Sequence, residues 1–172
     1  MLEKAIENRI IEIVEEETRI YQEILSLSEE KRRILVEGKA AELDMVVRSE
    51  QKLSGEIVKL EKERDELLTS AVNSGSITKE DMIISKLMQK MSTGAAKRAS
   101  ELSTELTDIL MKLKQVNDIN GELIKQSLDY IEYTVNIMSS TGMATNLTYG
   151  GGAGPVDPKK PGSKKTFFDS KV

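Results

Sequence analysis

The chain has 172 residues, of which 31% are charged and only 3% aromatic, so it has the length of one domain without the large rings that fill a thick globular core. It contains no His and no Cys, which excludes zinc sites, thiol nucleophiles, disulfides and histidine acid–base chemistry. Twenty-five basic side chains against 29 acidic ones leave a net charge of −4, without the basic footprint that a duplex nucleic-acid binder presents.

No apolar run approaches the ~20 residues needed to cross a bilayer. The opening Met1-Leu2-Glu3-Lys4-Ala5-Ile6-Glu7 lacks the basic-then-apolar order of a signal peptide. A cytoplasmic protein with no membrane insertion and no nucleic-acid partner is expected.

The first helix is predicted over about residues 2–37. Ile6, Ile10, Ile13, Glu17, Ile20, Ile24, Leu27, Lys31 and Ile34 alternate in steps of four and three, the a/d spacing of a coiled-coil seam. Val14, Tyr21 and Leu35 widen it on one flank. Gly38 interrupts the pattern, and a turn is expected within residues 37–42. A second helix over about residues 41–72 repeats the seam with Leu43, Val46, Glu50, Leu53, Ile57, Leu60, Arg64, Leu67 and Ala71. Each seam carries two charged residues. In an antiparallel hairpin Glu17 would face Arg64 and Lys31 would face Glu50, and one register centred near residue 40 satisfies both. Charges at seam positions penalise slipped pairings.

Asn73-Ser74-Gly75-Ser76 breaks the second helix. Thr78 followed three residues later by Asp81 resembles a capping box and is expected to start a short helix with Met82, Ile83, Leu87, Met88 and Met91 packed on the hairpin. A third long helix is predicted over about residues 95–138. Ala99, Leu102, Leu106, Ile109, Leu113 and Val116 form its first seam. Past Asn117 the stripe drifts to Asn120, Ile124, Leu128, Ile131, Val135 and Met138, because 3.6 residues per turn does not match a strict heptad. The distal half is therefore expected to face something other than the partner of the first half.

From Ser139 the composition changes. The last 34 residues hold six of the eleven Gly, all three Pro, and five Lys against two Asp, a charge of +3 that leaves −7 for the helical body. Such a segment buries too little apolar surface to order itself alone. The expected organisation is an all-α elongated bundle over 1–138, an antiparallel hairpin joined through a short linking helix to a third long helix, followed by a flexible tail over 139–172.

Little in the chain carries chemistry. Gly150–Gly154 lacks the Lys and the preceding strand of a phosphate loop, and Glu15, Glu16 and Glu17 read as a helix face without a pocket to perturb them. No catalytic, cofactor-binding or metal-binding residue is assigned, no cofactor is expected, and the protein is read as not an enzyme. Two features stand out. Asn117 and Asn120 lie three apart, hence on neighbouring positions of one face, at the point where the stripe drifts. Gly121 beside them costs about 1 kcal/mol against Ala in a helix interior, which suggests a close backbone approach. The other feature is aromatic: Tyr149 and the adjacent Phe167 and Phe168 sit in the tail, where exposing each Phe forgoes roughly 2–3 kcal/mol of burial.

These residues carry a resemblance. Glu17, Tyr21, Leu25 and Lys31, then Leu43, Glu50, Leu53 and the run Leu60-Glu61-Lys62-Glu63-Arg64, then Asn117, Asn120, Leu123, Ile124, Leu128, Tyr130 and Ile131, and finally Tyr149-Gly150 with Phe168, Asp169, Lys171 and Val172 are similar to the FlgN-type flagellar export chaperones, over nearly the whole chain. The resemblance implies a chaperone of the hook–filament junction proteins FlgK and FlgL that binds their C-terminal helical regions, prevents premature assembly and delivers them to components of the flagellar export apparatus. It also implies client binding through Asn117 and Asn120. Helix-in-groove binding needs apolar anchors at i, i+3, i+4 and i+7; Ile124, Leu128, Ile131 and Val135 supply that spacing, with Leu123 and Met138 beside them and Tyr149, Phe167 and Phe168 as secondary anchors. The competing readings are a structural coiled-coil scaffold or oligomer and a chaperone for another secretion-system or flagellar client. The sequence leaves monomer and homodimer equally open.

Overall fold

A computed structural model describes residues 2–140. The elements run α1 (Lys4–Glu37), α2 (Ala40–Asn73), a 3-10 turn (Lys79–Met82), α3 (Ile84–Lys90) and α4 (Thr93–Ser140), with no strand among the described residues. The chain divides into two units, Met1–Ile131 and Glu132–Val172. The expected flexible tail, with Tyr149, Phe167 and Phe168, lies outside the described residues apart from Ser139 and Ser140.

α1 ends because Gly38 adopts φ 69°, a left-handed conformation that costs glycine least. Its N–H and that of Lys39 cap the carbonyls of Leu35 and Ile34, which satisfies groups the helix end would orphan. The turn is thus only Gly38 and Lys39 long, and α2 folds straight back. The seam charges pair as their signs predict. Arg64 donates to the Glu17 carboxylate, and Lys31 Nζ lies 2.6 Å from Glu50 Oε2. Ile20, Ile24, Ile57 and Leu60 lie between the two pairs and form the main core with Ile13, and Ile109, Leu113 and Val116 of α4 complete it. The first seam of α4 is therefore the third wall of a bundle, running parallel to α1.

A second cluster sits at the other end of the hairpin. Leu2, Ile10, Leu68, Ala71 and Ala99 gather around Leu87 and Met91 of the short connection. The methionines expected on the hairpin are there: Met91 is buried, and Met82 and Met88 pack against the same cluster. The connection is not one helix, however. Thr78 N–H donates to Asp81 Oδ2 at 2.9 Å, and this box opens a 3-10 turn that stops at Ile83. Ile83 is extended (φ −72°, ψ 128°) and exposed. Four residues close only a tight turn, and the chain must then redirect before α3 can present Leu87 to the core.

One buried carboxylate organises the entry to α4. Glu7 accepts from the backbone N–H and the hydroxyl of Ser92, both at 2.9 Å. Ser92 immediately precedes α4, and its carbonyl accepts from Ala96 N–H at 2.8 Å. The negative charge of α1 thus sits at the helix N-terminus, where the macrodipole favours it.

Candidate functional site

The side chains of α4 are buried at Ala99, Leu102, Ile109, Leu113, Val116 and Asn120, and Asn120 is the last of them. The drift of the stripe marks this change. Asn120 is only 2% exposed, and its Nδ2 donates to the backbone carbonyl of Ser28 on α1 at 2.9 Å. Ser28 Oγ in turn donates to Glu50 Oε1 at 2.8 Å, and Lys31 donates to the same carboxylate. One polar layer therefore crosses all three long helices. Asn117 does not share it, being exposed. Three residues turn a helix by 300°, so two such side chains stand 60° apart, and the edge of the α1 contact falls between them. One of the pair is thus buried against α1 and the other faces solvent. Gly121 is exposed, and a Cβ built on it would meet nothing within 4 Å. The close backbone approach expected there is absent.

One turn beyond the polar layer lies an apolar groove of about 710 Å³, within the range of ligand-binding clefts. One wall comes from the hairpin tip, with Ile34, Leu35, Val36, Ala40 and Leu43; the other comes from α4, with Leu123, Ile124, Leu128, Tyr130 and Ile131. Leu128 is 60% and Ile131 56% exposed, and Val36 at the tip is 70% exposed. Such a concentration of uncovered large apolar side chains marks an interaction surface rather than scattered surface residues. The one charged side chain lining the groove is Lys39, which sits 2.7 Å from Glu37. The groove thus selects for apolar contact and not for charge.

Of the expected contact residues, Leu123, Ile124, Leu128 and Ile131 come together along this wall. Val135 and Met138 fall in the second unit and are exposed there. Tyr149, Phe167 and Phe168 lie outside the described residues. The hairpin-tip wall was not anticipated. Its signal was present in Leu35 and Val36, apolar residues beside the Gly38 turn and off the narrow seam. Glu17 is the most confined ionisable group among the described residues, 2% exposed. Burial pushes its carboxyl up, against the pull of Arg64. No group of acidic residues able to hold a metal occurs among the described residues.

The architecture is that of an all-α coiled-coil protein, a hairpin and a long third helix with an uncovered apolar groove near the tip. The family model described as FlgN protein matches residues 1–156, and the chain belongs to the FlgN family. It is by that membership a flagellar export chaperone, a protein that binds flagellar export substrates. The chain is also similar to the Bacillus subtilis (strain 168) protein YvyG, with 31% identity over 163 residues covering 95% of this chain and 97% of that one. No solved structure matches the chain. No helix among the described residues is long and apolar enough to cross a membrane.

Proposed function

We propose that the groove between the hairpin tip and residues 123–131 of α4 receives an amphipathic helix from the C-terminal regions of the hook–filament junction proteins FlgK and FlgL. The observation that carries this reading is the groove itself: two helical walls, apolar, and uncovered. A client helix destined for a coiled coil exposes an apolar stripe until it assembles, and a complementary face can cover it. Leu128 and Ile131 supply the central anchors, with Ile124 and Leu123 one turn earlier. Asn117, which is exposed on α4 before the groove, meets a polar group of the client in this reading. Covering the stripe in the cytoplasm keeps the client soluble until the export apparatus takes it. The chaperone performs no bond chemistry in this role.

Calorimetric titration of the full chain with C-terminal fragments of FlgK and FlgL tests the proposal. Saturable one-to-one binding is expected, and Leu128→Asp with Ile131→Asp is expected to abolish it while the helical signal persists. Binding unchanged by that double variant would place the client elsewhere. No binding by folded protein, with light scattering showing a dimer that the double variant dissolves, would instead give the groove to a second copy and favour the scaffold reading.

A further inference from the structure

The polar layer beneath the groove has a geometry that a purely apolar packing contact would lack. Asn120 is the final buried side chain of α4, and it binds the backbone of α1 rather than a flexible side chain. Its Oδ1 is buried with no hydrogen-bond partner among the described residues, so the amide is held by its donor end alone. Ser28, whose carbonyl receives that bond, is itself tied through its hydroxyl to Glu50 of α2. Glu50 is fixed in turn by Lys31 at 2.6 Å. From Gly121 to Ile131 only Leu123 is even half-buried. The α4 wall of the groove therefore begins one turn past the last buried side chain of the helix, which a hydrogen bond ties to α1.

We infer that Asn120 is a positioning residue for the groove: its bond to the Ser28 carbonyl sets the separation of the α4 wall from the hairpin-tip wall, and so sets affinity without touching the bound helix. The consequence for client binding rests on the function proposed above; the consequence for the geometry of the free protein does not. An Asn side chain is suited to this task because it offers a donor to a helical carbonyl that still has a lone pair to give. Replacing that donor with an acceptor of the same shape turns an attraction into a repulsion between two buried oxygens. Replacing it with an apolar side chain of similar volume removes the bond and leaves the packing.

The test uses Asn120→Asp and Asn120→Leu in the full chain, which has no native cysteine and so accepts spin labels cleanly. Labels at Arg48→Cys and Lys125→Cys, both exposed positions outside the groove lining, report the distance between α2 and the distal α4. The parent is expected to give one narrow distance distribution, and both variants a broadened one. Fragment affinity is expected to fall about tenfold or more in both, the effect of losing one buried hydrogen bond. A lost packing contact would spare Asn120→Leu, so equal behaviour of parent and Asn120→Leu in the distance measurement overturns the inference. Broadened distances with unchanged affinity overturn its link to binding. If the parent binds neither fragment, the proposed client is wrong, and the distance distributions alone decide whether Asn120 positions the wall.

Discussion

At the scale of single residues, the Glu17–Arg64 pair shows how a costly group can specify a fold. Taking a carboxylate out of water costs several kcal/mol, and its partner returns this only where the geometry is good. Removing Arg64 alone leaves the buried charge uncompensated. Arg64→Leu is therefore expected to cost about 2–3 kcal/mol, below the figure for a fully buried pair because Arg64 reaches solvent, whereas Glu17→Leu with Arg64→Leu should recover most of that loss. Urea unfolding of the two variants and the parent checks this. The pH dependence follows from two groups of opposite sign. Burial raises the Glu17 carboxyl, so the folded state holds that proton to higher pH than the unfolded chain does. Stability from this group falls as pH rises from the ordinary Glu value through the raised one. Asp81 is held low, first by the Thr78 backbone N–H; its contribution is present above the ordinary Asp value and is lost as pH falls through the lowered one. Urea midpoints from about pH 3 to 7, which brackets the ordinary carboxylate range, should show Glu17→Gln flattening the loss above the Glu value and Asp81→Asn flattening the loss on the acid side.

At the scale of elements, what the sequence could reveal depended on whether the cause was local or lay on another helix. The seams, the Gly38 turn and the Thr78 box are properties of neighbouring residues, so they can be read in order along the chain. Even the pairing across the hairpin was legible, because Glu17 with Arg64 and Lys31 with Glu50 permit one register. Asn117 and Asn120 look equivalent in sequence and differ only because the edge of α1 passes between them. The groove was half legible for the same reason: the spacing of Ile124, Leu128 and Ile131 marks one wall, but nothing in that spacing says that the hairpin tip supplies the other. Gly121 is a residue of this second kind. Its costly position suggested a close neighbour, and there is none. Gly55 in α2 is equally open. Each Gly→Ala change is expected to stabilise by up to about 1 kcal/mol, since a helix interior favours Ala and no atom obstructs the new methyl. A higher urea midpoint in Gly55→Ala and Gly121→Ala checks it, and a destabilised Gly121→Ala would show that the α4 exit needs its freedom.

At the scale of the molecule, the stabilising core and the proposed client groove are housed in different places. The two apolar clusters lie along the hairpin and at its open end, while the groove lies past the last buried side chain of α4. Charge placed in the groove should therefore leave folding alone. Leu128→Asp with Ile131→Asp is expected to change stability by no more than about 0.5 kcal/mol, as at other exposed sites, in thermal melts of the same protein used for titration. The bond from Glu7 to Ser92 has a further consequence of a different kind. Its partners are 85 residues apart, and the acceptor belongs to the part of the chain that is synthesised first. The side chain that meets the start of the longest helix thus belongs to the first one, so the origin of α4 is tied to a residue made 85 positions before it.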